Sequence, residues 1–359
     1  MSASETEVVD ERVAVATKHW APRFVAQGVD PNDFNRTLAR IKRWDDWCRE
    51  WGVTAADYER LAESAEKAGH KLTAGLSWLR AGLCWHFGKF VFVQDVAQLK
   101  AASERTAACY LRGAWALEPP AELVGIPYDG ITMRGLFRTP RGIARPPVVL
   151  MIPGLDSVKE ELQAMANHFL RRGIATLAID GPGQGEMEFD RNIEPAYEKP
   201  AGAAIDWLQS RSDLDASRVG VFGVSLGGYY AVRVAAMEPR VHATIELAGT
   251  YSLAGFWDKR SVVSRAAFIK RSGARNEAEA RELAKGIDMS GLGARIKRPL
   301  LIVHGKSDPI ASFEGAERLA SETPTAELVA YEDGTHAITN RPFASRVLMA
   351  DWMAEKLST

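Results

Sequence analysis

Five residues, Gly223-Val224-Ser225-Leu226-Gly227, carry the strongest chemical signal in this chain. They follow an apolar run, Arg218-Val219-Gly220-Val221-Phe222, and precede Gly228-Tyr229-Tyr230-Ala231-Val232-Arg233-Val234-Ala235-Ala236, a stretch of helical character. G-x-S-x-G between a strand and a helix is a nucleophile elbow. The turn is sharp enough for side chains at its flanks to clash, and glycine at 223 and 227 removes them. The Ser225 hydroxyl then stands at a strand end, with a helix N-terminus behind it that favours developing negative charge.

A serine hydroxyl needs a base, and the base needs an acid to orient it. Behind an elbow of this kind the chain order is Ser, Asp or Glu, His. The apolar run Pro299-Leu300-Leu301-Ile302-Val303 reads as a buried parallel strand, and the loop after it, His304-Gly305-Lys306-Ser307-Asp308-Pro309, offers Asp308 as the acid. A further strand, Ala326-Glu327-Leu328-Val329-Ala330-Tyr331, leads to His336, the only histidine after Asp308. Two competitors fit less well. His304 precedes Asp308 and reads as a partly buried histidine bonded to backbone, while Asp333, three residues before His336, reads as a turn former. An oxyanion hole needs two backbone N–H groups. Leu226, next to the serine, supplies one, and Leu155, in the loop Pro153-Gly154-Leu155-Asp156 after the strand at 147–152, supplies the other. Ser157-Val158-Lys159-Glu160 has the pattern of a capping box and is expected to open the next helix.

Stepping outward, the elements that must hold these groups fall into two regimes. From about Pro31 to Leu117 the pattern is helical. One helix is expected from Asn32-Asp33-Phe34 through Leu38, Ile41 and Trp44 to Trp47, an N-cap at Thr54, and further helices over 72–92 and 96–115. Six of the ten tryptophans lie before residue 100. Pro119-Pro120 then breaks the pattern, dividing a helical cap or lid domain over 1–120 from a catalytic domain over 121–359. In the second part a hairpin turns at Asp129-Gly130, and short apolar strands near 147, 174, 218, 242, 299 and 326 alternate with helices. That alternation predicts an α/β fold with a mostly parallel, doubly wound sheet, whose ligands bind at the carboxyl ends of the strands. The long connection 251–297, helical over 261–285, is expected to add to the lid.

Composition narrows the function. With 359 residues, 46% hydrophobic and 25% charged, the chain is long enough for two domains of ordinary globular character. A net charge of −1 argues against nucleic acid or other polyanions as partners. The polar, acidic start Met1-Ser2-Ala3-Ser4-Glu5-Thr6-Glu7 lacks the pattern of a secretory leader, and no apolar run approaches a membrane span. Cys48, Cys84 and Cys109 are widely spaced and odd in number, which fits a reducing compartment, so a cytoplasmic protein is expected. Neither metal nor cofactor is expected. There is no H-E-x-x-H, and the glycine-dense run Asp180-Gly181-Pro182-Gly183-Gln184-Gly185-Glu186 departs from G-x-G-x-x-G because its third glycine comes one residue early. It reads as a tight loop near the pocket.

Several motifs together resemble one family. Gly-Leu-Asp-Ser-Val-Lys-Glu-Glu at 154–161, Asp-Gly-Pro-Gly-Gln-Gly-Glu-Met at 180–187, Tyr-Glu-Lys at 197–199 and Gly-Val-Ser-Leu-Gly-Gly at 223–228 are similar to the 2,6-dihydroxypseudooxynicotine hydrolase group of α/β-hydrolases. That broad group also takes in fungal polyketide-shortening hydrolases and esterases of the fermentation-respiration switch type. Arg40-Ile41-Lys42-Arg43-Trp44-Asp45-Asp46-Trp47 and His86-Phe87-Gly88-Lys89 extend the resemblance into the helical part. It implies an α/β-hydrolase fold with an N-terminal all-helical cap, a homodimer, and Ser225, Asp308 and His336 as nucleophile, acid and base. It also implies a capacity to cleave a carbon–carbon bond next to a carbonyl, assisted by a further pocket carboxylate, for which Asp258 and Glu246 are the candidates. A tryptophan-rich cap suits an aromatic small-molecule substrate. Most of these rings are expected to pack the cap, with Trp85, Phe87 and Phe90 as candidates to line the pocket. The expected activity is C–C hydrolysis of an aromatic or polyketide-like ketone or diketone. The alternatives are a carboxylesterase using the same residues and, in a different class, a non-catalytic ligand-binding protein on a hydrolase scaffold.

Overall fold

The computed structural model describes residues 10–358, so the polar start at 1–7 lies outside it. Five helices come first: α1 (Glu11–Ala26), α2 (Pro31–Arg40), α3 (Trp47–Lys67), α4 (Lys71–Lys89) and α5 (Val96–Gly113). The carboxylates of Asp10, Asp30 and Asp95 accept backbone N–H groups at the starts of α1, α2 and α5. The single helix expected over 32–47 is in fact two. Ile41 turns extended, and the Asp46 carboxylate takes the N–H groups of Lys42 and Arg43, so the chain is pinned in a bend before α3 begins. Thr54 caps nothing. It lies inside α3, where its hydroxyl bonds that of Thr37 at 2.6 Å.

The remainder is β1 (Glu122–Tyr128), β2 (Ile131–Arg138), β3 (Val148–Ile152), α6 (Gln163–Leu170), β4 (Ala175–Asp180), α7 (Glu198–Gln209), β5 (Val219–Val224), α8 (Leu226–Met237), β6 (Val241–Leu247), α9 (Val262–Ser272), α10 (Glu277–Ala284), β7 (Leu300–Gly305), α11 (Phe313–Glu322), β8 (Ala326–Tyr331) and α12 (Pro342–Ser358). The strands form one eight-stranded sheet in the order β1-β2-β4-β3-β5-β6-β7-β8. β1 and β2 form the antiparallel hairpin predicted around Asp129-Gly130, and β2 pairs antiparallel with β4. From β4 to β8 every pairing is parallel. Continuous apolar sequence is what a strand covered on both faces requires, and every residue of β3, β4 and β7 is buried.

The stretch expected to be helical over 261–285 is broken at Gly273, which closes α9. The capping box at 157–160 does not form, and α6 begins only at Gln163. Ser157 Oγ instead accepts the Gly154 N–H at 2.6 Å, and the Glu160 carboxylate goes to Lys159 Nζ at 2.7 Å. These contacts hold 153–162 as a folded loop, not a helical turn.

The N-terminal helices have an aromatic core of their own. Phe24 stacks on Phe87 at 3.9 Å between centroids, with Trp47 and Trp51 around the pair. Trp47 is fully buried, and its indole N–H donates to the Phe87 carbonyl at 3.0 Å. Buried charge joins this unit to the sheet: Arg23 on α1 pairs with Glu161 at 2.5 Å, His86 meets the same carboxylate at 2.9 Å, and Lys89 pairs with Glu188 at 3.0 Å. Trp47→Ala leaves a void at the centre of the cluster and removes the partner of a buried carbonyl. A loss of about 3–5 kcal/mol is expected, read as a lower urea midpoint; a shift worth less than ~1 kcal/mol would show that the cluster does not hold these helices together.

Candidate active site

The site is built on β5. Ser225 adopts φ 58° and ψ −120°, a conformation that costs a non-glycine residue about 1–3 kcal/mol. Two glycines make it attainable. A Cβ on Gly223 would lie 1.9 Å from the Gly227 carbonyl oxygen, and one on Gly227 would lie 2.3 Å from that of Ile152. The Ser225 N–H donates to the Leu247 carbonyl at 2.8 Å, tying the elbow to the end of β6. Leu226 is the first residue of α8, so its N–H belongs to the set without an intrahelical acceptor.

Asp308 and His336 meet beside it. His336 Nδ1 and Asp308 Oδ2 are 2.8 Å apart, and Asp308 Oδ1 accepts the N–H groups of Ile310 (2.8 Å) and Ala311 (3.1 Å). Burial pushes the Asp308 carboxyl up, but His336, His304 and the Ile310 N–H outweigh it, and the net shift is downward. An ionised Asp308 can only accept, so the shared proton lies on His336 Nδ1, an arrangement in which Nε2 can serve as a base. The two competitors are engaged elsewhere. His304 Nε2 bonds the Ala311 carbonyl at 3.1 Å, and exposed Asp333 pairs with Arg341 at 2.6 Å.

Ser225 and His336 line one cavity of about 640 Å³, counted to its mouth. Leu155 lines it too, next to Gly154. The glycine-dense loop after β4 braces this segment: Gln184 Nε2 donates to the carbonyls of Pro153 and Gly154, and Tyr197 holds Gln184 Oε1 at 2.8 Å. The sequence placed this loop near the pocket; its function there is to fix the strand-to-helix turn that carries Leu155. Below it, Lys159 Nζ sits 2.6–2.9 Å from Glu160, Asp180 and Glu186. Those carboxylates are close enough together to hold a metal, but the ammonium already occupies the space between them.

Other expected site residues lie elsewhere. Asp258 is exposed and paired with Arg281. Glu246 is buried in β6 opposite Gly223, outside the cavity lining, with one oxygen on the Gly249 N–H and the other unbonded among the described residues. Phe87 belongs to the aromatic core of the N-terminal helices, and Trp85 is partly buried with its N–H on Glu59. Phe90 stands one layer back, packing edge-on against Trp20 (5.0 Å) beneath the Arg23 guanidinium (4.5 Å). The cavity is lined instead by Trp20 and Arg23 of α1, by Gln27 just after it, and by Arg260 and Ser264 around the start of α9. The sequence reading assigned no helix before residue 31. The available signal was Asp10 followed by apolar residues at 13, 16, 20 and 24.

Burial raises the Glu246 carboxyl, the Gly249 N–H opposes and Asp308 adds to the rise, leaving it at about 8 against an ordinary 4.5. The folded chain therefore binds more protons here than the unfolded chain between those two values. The stability it contributes is complete below about pH 4.5 and is lost as pH rises through about 8. Glu246→Gln keeps the shape and cannot ionise. Its melting temperature is expected to gain on that of wild type steadily from pH 5 to pH 9; a difference independent of pH would mean Glu246 is not held neutral.

Comparison with known proteins agrees with this architecture. Residues 31–358 match the family model described as esterase FrsA-like. The chain is 34% identical to a 2,6-dihydropseudooxynicotine hydrolase of Paenarthrobacter nicotinovorans, over 93% of this chain and 91% of that one. A crystal structure of 2,6-dihydroxy-pseudo-oxynicotine hydrolase superposes with a TM-score of 0.87 at 32% identity, covering 94% and 95% of the two chains. A fungal α/β-hydrolase, xenA of Xenoacremonium sinensis, is 33% identical over 63% of this chain and 57% of its own length. The fold is that of an α/β-hydrolase, the relatives are hydrolases and esterases, and the chain belongs to the FrsA-like esterase family.

Proposed function

We propose that this chain is a serine hydrolase that cleaves a carbon–carbon bond next to a carbonyl in an aromatic or polyketide-like ketone or diketone. The observation that carries the reading is the convergence of a strained Ser225 and an Asp308-bound His336 on one cavity. His336 Nε2 takes the Ser225 proton as Oγ bonds to the substrate carbonyl carbon. The oxyanion is met by the N–H groups of Leu226 and Leu155. On collapse the C–C bond breaks, its electron pair passes into the neighbouring carbonyl as an enolate, and imidazolium protonates the enolate carbon. Water, deprotonated by His336, then releases the acyl group from Ser225. Trp20, on the cavity wall, offers an aromatic substrate a flat apolar face with one polar edge.

A carboxylesterase with the same residues is the second reading, and one observation favours it. Asp156 and Glu161, the carboxylates on the cavity wall, are each paired with an arginine, Arg271 at 2.6 Å and Arg23 at 2.5 Å. Neither stands free to assist C–C cleavage.

Product analysis by mass spectrometry on an aryl β-diketone panel and an aryl ester panel separates the two. Wild type is expected to cleave both, and Ser225→Ala to lose roughly 10⁴-fold on each. Turnover of esters alone would make the protein an esterase. Ketone cleavage that survives in Ser225→Ala would remove the serine from the mechanism.

A further inference from the structure

Arg260 stands at the end of a 3-10 turn, Ala254–Lys259, just before α9. Its side chain lines the cavity that holds Ser225 and His336, yet the residue is only 6% exposed. Its Nε and Nη1 are buried and have no hydrogen-bond partner among the described residues. A buried guanidinium with unused donors is costly, because burial removes the water that solvated them. Burial lowers its pKa, with Asp156 and Asp308 opposing, and an arginine so displaced still holds its proton at neutral pH.

The other charges around the cavity are matched. Arg23 is paired with Glu161. Asp156 is paired with Arg271, which also holds Glu188, and Glu188 holds Lys89, so this chain of four carries no net charge. Asp308 has its oxygens on His336 and on the Ile310 and Ala311 N–H groups. Arg260 is left as a cation on the cavity lining with two unused donors and, among the described residues, no carboxylate bonded to it.

We infer that Arg260 is a substrate-binding residue and that the substrate carries a second oxygen that bonds the guanidinium while Ser225 attacks elsewhere, anionic from the start as a carboxylate or becoming anionic as the enolate released when the C–C bond breaks. The inference rests on the serine hydrolase reading and deepens it. In the C–C reaction the electron pair of the broken bond ends on such an oxygen, and a fixed cation there lowers the barrier to its departure. Planar, forked donors suit a carboxylate or enolate better than a neutral ester oxygen.

Two matched pairs of substrates test this. The first is the mono-para-nitrophenyl ester of adipic acid against its methyl ester, which differ only in the free carboxylate. The second is benzoylacetone against phenyl acetate, which give the same acetyl-enzyme, the ketone through an enolate whose oxygen lies beyond the broken bond and the ester with no oxygen at that place. For each pair the ratio of kcat/KM, first member over second, is measured in wild type, Arg260→Met and Arg260→Lys. The ratio is expected to fall roughly tenfold or more in Arg260→Met and to recover in part in Arg260→Lys, which restores charge without the fork. Collapse in the first pair alone identifies a carboxylate, and in the second alone an enolate. A ratio unchanged within twofold in both pairs overturns the inference. Phosphonylation of Ser225 by a fluorophosphonate, run on every variant, keeps the failures apart. A wild type that does not label refutes the serine reading, whereas full labelling with unchanged ratios refutes only the assignment of Arg260.

Discussion

The turn at Ser225 constrains everything around it. A serine at φ 58° is held by the N–H bond to Leu247, by the packing of α8 on β5 and β6, and by two positions where any side chain would strike backbone. Strain of this size persists only where surrounding structure over-determines it. It is also concentrated. Of the six non-glycine residues with positive φ among the described residues, four are Ser225, Ala248, Ala337 and Ile338, at the ends of β5 and β6 and just after His336. The parallel sheet supplies the rigidity, since all of its strands from β4 to β8 end on the same side and bring Ser225, Asp308 and His336 there.

The second organising feature is buried charge between the N-terminal helices and the loops of the sheet. Arg23 and His86 converge on Glu161; Lys89, Glu188, Arg271 and Asp156 form a chain from α4 through the loop after β4 to α9 and the loop after β3. Buried ion pairs contribute little net stability against apolar packing, but breaking one by removing a partner is expensive. Here they do positional work. The loop carrying Leu155, and α9, which follows Arg260, are tied through these pairs to the N-terminal helices. The placement of those helices and the shape of the cavity are thereby coupled.

How much of this was legible beforehand follows the range of the interactions. The parallel strands, the hairpin at Asp129-Gly130 and the elbow are local patterns, and each lies where its residues indicated. The order Ser225, Asp308, His336 was readable because chain order and strand ends suffice to place the three groups. The bend at Ile41–Arg43 was not, because a single carboxylate, Asp46, pins it against an otherwise helical period. Glu246 and Asp258 illustrate the same limit from the other side. Both are acids near the end of β6, and only tertiary structure distinguishes a carboxyl buried in the sheet from one exposed and paired with Arg281. Trp85, Phe87 and Phe90 had the right chemistry for a pocket wall, but the N-terminal helices use them for packing and place Trp20 on the lining instead. Arg260 carried no signal at all, since what sets it apart is the absence of a bonded partner, a property of the fold and not of neighbours in sequence.

The most direct test of the central claim is peptide mapping after reaction with a fluorophosphonate, in wild type and in His336→Ala. The account predicts one adduct, on the peptide that contains Ser225, formed at least a hundredfold more slowly without His336 (an order of magnitude set by loss of the general base). An adduct on another residue, or an unchanged rate without His336, would contradict it.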